Sequence, residues 1–298
     1  MNRIGCGARM TCMFSIWLLV TTVAVARGSL VDVAPIAAGM ELMAAGFDPG
    51  GERIVASGLH FRGLYILDMD GTTRCLTDRP MAGFGYCWLP SGAGIVYRTW
   101  DGRDAVCEKV SLSGAVATVG PLPPGALPCR QGETVFLPSG SAPAIVHGAA
   151  APEALVFATA VDDRIVLNRG PRATIIAPEG DRYFLPVVSP TSSHVVFQGL
   201  ISGIWIHDIN RQATINIGPG HNPAWSPDGR YLYFDRQQDD GERVLAADLW
   251  RVRCDGSDSC QLTFTEDRLE MRPSVSPAGD RLLFDCDGVI WTARLEEE

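Results

Sequence analysis

Six times along the 298-residue chain a short apolar strand stands beside a turn built from proline or glycine. Two copies nearly match: Asn222-Pro-Ala-Trp-Ser-Pro-Asp-Gly-Arg-Tyr-Leu-Tyr-Phe-Asp235 and Arg272-Pro-Ser-Val-Ser-Pro-Ala-Gly-Asp-Arg-Leu-Leu-Phe-Asp285. Looser copies start at Ala45, Tyr86 and Leu185, and the one at Leu127 keeps only its glycine and strand. The turn chemistry has a direct cause: proline presets φ, aspartate bonds its own backbone, and glycine supplies φ > 0. The strand after each turn alternates or runs apolar, as a half-buried or buried strand does.

Pro49, Pro90, Arg130, Pro190, Pro227 and Pro277 mark the turns, spaced 41, 40, 60, 37 and 50 residues apart. A period in the forties with short strands is the mark of a β-propeller, and insertions in loops explain the uneven spacing. A second element recurs downstream, an apolar run, a small polar turn and another strand, as in Leu64-Tyr-Ile-Leu-Asp-Met-Asp-Gly71 before Arg74-Cys-Leu-Thr77. The sequence therefore predicts an all-β, six-bladed propeller of four-stranded antiparallel blades. Residues 127–177 make one blade with a Pro/Ala/Gly-rich insertion at about 138–154. Leu30-Val-Asp-Val-Ala34 is the candidate N-terminal strand that closes the last blade and removes two open edges. Two segments follow: a leader at 1–26 and a propeller at 27–298.

The leader reads as a secretory signal peptide. Arg3 and Arg9 precede an apolar run from Cys12 to Ala26, and Ala24-Val-Ala26 fits small-x-small cleavage. A periplasmic or secreted protein is expected, with no stable membrane span after cleavage. Of nine cysteines, Cys6 and Cys12 leave with the leader, so an odd number stays. Cys254 and Cys260 bracket one hairpin turn and are expected to form a disulfide. The formal charge of −9 excludes sequence-independent nucleic-acid binding, which needs dense Lys and Arg.

Trp225-Ser-Pro-Asp-Gly-Arg230, with Val275-Ser-Pro-Ala-Gly-Asp280 and Val188-Ser-Pro-Thr-Ser-Ser193, resembles the hallmark of TolB-type propellers with WD-like repeats. Asp70-Gly71 and Asp255-Gly256, each followed closely by Leu-Thr, are similar to that family's outer hairpin. The resemblance covers about residues 30–295 and implies a propeller that engages other envelope proteins. TolB's separate α/β domain has no counterpart in this length.

No serine has glycine both two places before and two places after it, no His-Glu-x-x-His occurs, and the five histidines are scattered singly. The positions just before each innermost strand ring one channel mouth and supply Glu41, Phe84, Tyr183, His221 and Glu270, with Arg182, Asn222 and Arg272 nearby. These carboxylates, arginines, aromatics and a histidine suit a small polar ligand, a cation or a peptide terminus. Asp235 and Asp285 end second strands at equivalent positions and read as stabilisers of strand-to-strand turns.

Two functions follow. The first is a non-enzymatic, monomeric scaffold that binds an envelope protein or peptide at the channel mouth, with no catalytic residue and no cofactor beyond a channel cation such as calcium. The alternative is a propeller enzyme, a metal-assisted hydrolase or lyase on a carbohydrate or lactone, using the same channel.

Overall fold

Local turn chemistry sets the fold. Ser226 Oγ donates to Asp228 Oδ1 (2.6 Å) and accepts from Tyr231 N (2.9 Å), while Gly229 takes φ +70°. Ser276 Oγ binds Asp280 Oδ1 (2.7 Å) and Arg281 N (3.0 Å) in the same way. Ser189 Oγ accepts from His194 N (3.1 Å), and Asp48 Oδ1 from Glu52 N and Arg53 N. Each of these four polar side chains is buried under its turn, satisfying backbone donors that no ladder reaches. The residue before the turn proline thus matters as much as the Pro-Gly signal itself.

The computed structural model describes residues 29–36, 39–122, 125–138 and 143–296. It has seven blades rather than the six expected: residues 42–77, 86–121, 129–147, 156–175, 183–218, 221–261 and 270–295. Blades three and four have three strands each among the described residues; the other five have four. The fourth strand of blade seven is Leu30–Ile36, antiparallel to Val289–Leu295 with Leu30 opposite Leu295 and Ile36 opposite Ile290. The expected leader at 1–26 lies outside the described residues. Among those described, no helix is long and apolar enough to cross a membrane.

The correction to the blade count falls in the 60-residue gap between Arg130 and Pro190. The stretch read as an insertion holds the strand Ala144–His147, and Val156–Val161 opens a sheet of its own. That sheet turns at Asp162 and Asp163, both at positive φ (48° and 60°), between paired Val161 and Arg164. Two aspartates in the left-handed region make a two-residue hairpin without proline or glycine, so a search for Pro/Gly turns passes over it. The strand also runs against the other innermost strands. Val156 N binds Gln131 Oε1 (3.0 Å) at the face carrying the Pro-Gly turns, whereas Asp163 pairs with Arg182 at the opposite face.

Blades pack face to face through apolar layers. Leu42, Ile54 and Leu67 of blade one meet Leu283 and Ile290 of blade seven. Val196, Ile204 and Ile206 of blade five meet Trp225, Leu232 and Phe234 of blade six. Second strands are buried on both sides, so Ile54–Gly58 has no exposed residue. Four inner strands share a bulge at which a non-glycine residue adopts positive φ: Ala44 (49°), Leu185 (48°), Asn222 (51°) and Arg272 (54°). The bulge adds local twist and swings the backbone toward the axis.

Candidate functional site in the central channel

The inner strands of all seven blades enclose a cavity of about 470 Å³, touched by Ala44, Tyr86, Cys129, Phe157, Pro186, Asn222 and Arg272. A second cavity of about 300 Å³ shares Phe84, Leu127, Leu185 and Asn222 with it and continues the channel toward Val161 and Gly125. Most of the wall is apolar. One polar patch lies where blades six, seven, one and two meet, and Arg130, Gln131, Ser189 and Ser192 line the cavity elsewhere.

Arg272 is the centre of that patch. Its Nε donates to Asp285 Oδ1 (2.8 Å), and Nη2 donates to Oδ2, a bidentate pair. Asp285 Oδ1 also accepts Ala44 N (3.0 Å) from blade one. Asp235 does the equivalent one blade earlier, taking Arg272 N (3.0 Å) and Asn222 Nδ2 (2.8 Å) on Oδ1 and Gln237 Nε2 (2.9 Å) on Oδ2. Each buried aspartate therefore clamps the bulge of the next inner strand, and does more than the strand-end turn role expected of it. Burial raises both carboxyls above the usual range; Arg272 opposes this at Asp285, and Asn222 and the Arg272 N–H oppose it at Asp235. Tyr86 Oη donates to Ala44 O (2.8 Å), and burial together with Asp285 holds its phenol well above its ordinary value. Tyr86 stays neutral.

The residues expected at the mouth separate into three groups. Asn222 and Arg272 come together on the channel wall, and Phe84 joins them there, edge-on to Phe61 at 5.4 Å. Glu41, Arg182 and His221 stay exposed at the rim: Glu41 lies over Gly288, Arg182 pairs with Asp163 at 2.8 Å, and His221 Nδ1 is 3.5 Å from Gln198 Nε2. Tyr183 and Glu270 are buried instead. Tyr183 packs edge-on to Phe197 and Trp205, and Glu270 sits between blades six and seven. Tyr86 lies within a repeat, between Gly85 and Cys87, and has no polar neighbour in sequence that marks it as part of a site. No disulfide joins Cys254 and Cys260, because the strand register sets Arg251, not Cys254, opposite Cys260. Among the described residues no three His, Cys, Asp or Glu side chains converge on one point.

A seven-bladed propeller with a polar patch in an apolar axial channel is the class that fold and site define. No family model matches the chain. A curated relative, the uncharacterized protein Atu1656 of Agrobacterium fabrum, is 31% identical over 103 residues, which are 32% of this chain and 33% of that one. The chain thus matches about a third of that relative's length. Among solved structures, oligogalacturonate lyase from Vibrio parahaemolyticus is similar, with a TM-score of 0.56 at 13% identity over 90% of this chain and 96% of the other. At that identity the likeness shows the fold. It also overturns the non-enzymatic scaffold expected from sequence, which rested on the absence of a recognisable catalytic motif and on the TolB-type resemblance. A chain of almost the same extent and architecture is a lyase.

Proposed function

We propose that the protein is a propeller enzyme, a lyase or hydrolase acting on a carbohydrate or lactone in its central channel. The observation that carries this reading is the Arg272–Asp285 pair on the channel wall, a fixed cation facing an apolar cavity of about 470 Å³. Asp285 orients the guanidinium through Nε and Nη2, so its remaining N–H groups are pre-aimed at a ligand and need no reorganisation. In such a cavity Arg272 neutralises charge that develops on a substrate carboxylate or carbonyl oxygen, and Asn222 orients a hydroxyl beside it. The apolar stretches of the wall lower the local dielectric and strengthen both effects. The donor set does not fit a resident metal centre, so no step is routed through one. The likeness to the Vibrio lyase supports an acidic oligosaccharide as the substrate to try first.

The test is turnover on oligogalacturonates, neutral oligosaccharides and sugar lactones, followed as new unsaturated product or reducing ends. The double variant Arg272→Met/Asp285→Asn leaves no lone buried charge and should lower kcat by about a hundredfold or more. Absence of turnover on every class, or full activity in the variant, overturns the reading. Export to the periplasm or outside belongs to the same proposal and rests on residues 1–26. The Trp225–Arg230 turn supports a TolB-type origin for the blades, not for the activity.

A further inference from the structure

Away from the channel, blades six and seven meet at a pair of buried carboxylates. Ala247 pairs in parallel with Leu269, and Ala247 N donates to Arg268 O (2.9 Å). The residues that follow, Asp248 and Glu270, are thereby side by side on adjacent strands, whose ordinary spacing is about 4.8 Å. Asp248 is 8% exposed and Glu270 5%. Asp248 Oδ1 holds Thr265 N (3.0 Å) and lies 3.4 Å from Thr263 Oγ1. Glu270 Oε2 and Thr265 Oγ1 are both buried and meet no partner in good hydrogen-bonding geometry, with the Thr263 and Thr265 hydroxyls beside the carboxylate. A buried carboxylate oxygen left in this state is costly, and a second carboxylate beside it adds repulsion.

We propose that Glu270, Asp248 and the Thr265 hydroxyl form a binding site for a hard divalent cation, calcium by its donor set, that ties blade six to blade seven. Carboxylate and hydroxyl oxygens with nearby backbone carbonyls and water are what calcium takes, whereas softer metals select thiolate or imidazole. The Cys286 thiol, opposite Glu270, is a soft donor that a hard cation does not select. Arg268 and Asp248 act on Glu270 with opposite sign, and Glu266 and Asp267 are exposed on the same loop. The site is independent of the channel chemistry and stands or falls without it.

The experiment is calcium titration of the chelator-treated full chain, by calorimetry and by melting temperature, with magnesium as the comparison. One calcium per chain and a rise in melting temperature are expected. Glu270→Gln should reduce calcium affinity about tenfold or more. Thr265→Val, which removes only the hydroxyl, should weaken it to a smaller extent and serves if the first variant fails to fold. No calcium binding by the native chain overturns the site, as does equal binding in Glu270→Gln, or in Thr265→Val where only that variant folds.

Discussion

Single residues decide how this disk tolerates charge and acid. Asp285 is buried, while Arg272 opens to the channel with a side chain 21% exposed. Asp285→Ala strands the guanidinium, with an expected loss of about 3 kcal/mol in urea unfolding; Asp285→Asn should lose less because its amide oxygen still accepts from Arg272. His207 sets an acid limit. Its Nδ1 lies 2.8 Å from Thr214 Oγ1 and its Nε2 is buried without a partner. Burial pushes its pKa below the ordinary 6.5, with Asp208 opposing. The unfolded chain therefore takes up the proton first, so the His207 contribution is full above pH 6.5 and is lost as the pH falls through that value. His207→Asn, which keeps a group for Thr214, should flatten the fall of urea midpoint below pH 6.5; an unchanged slope would assign it to other groups. Asp235 and Asp285 act with the opposite sign at lower pH. Their folded pKa values stand above the unfolded ones, so protonation favours the native state.

At the level of strands and turns, the informative comparison is between two glycines. Gly203 opens the strand Gly203–Asp208 at φ +81°, and a Cβ there would stand 2.2 Å from Gly218 O. Gly218 has φ +88° and open space around it. Gly218→Ala should cost about 1 kcal/mol, the left-handed penalty alone. Gly203→Ala adds a backbone clash, so its loss should exceed that by at least about 1 kcal/mol, read from the difference in urea midpoints. Turns such as Ser226-Pro-Asp-Gly were legible in the sequence because every interaction that shapes them is within five residues. The Asp162-Asp163 hairpin was not, since its left-handed aspartates are held by the sheet around them. The channel patch divides in the same way. Asn222 and Arg272 were legible from their place before an inner strand. Tyr86 and the clamping roles of Asp235 and Asp285 were not, because their partners lie on the next blade, up to 241 residues away.

Across the whole molecule, seven sheets share one axis, and one of them takes strands from both ends of the described chain. The count was misread because two three-stranded blades occupy the gap of a single four-stranded one plus an insertion. Removing residues 1–38 should leave Val289–Leu295 as an open edge beside buried Ile290 and Ala293. Lower melting temperature and concentration-dependent self-association in light scattering are expected. A monomer of unchanged melting temperature would show that the outer strand contributes little. The same pairing fixes how the protein answers to force. Leu30 and Leu295 face each other across one antiparallel ladder, so tension applied at these two points loads its hydrogen bonds one after another, like a zipper. Pulled from its two ends, the disk opens at this seam first, while the blades between remain folded.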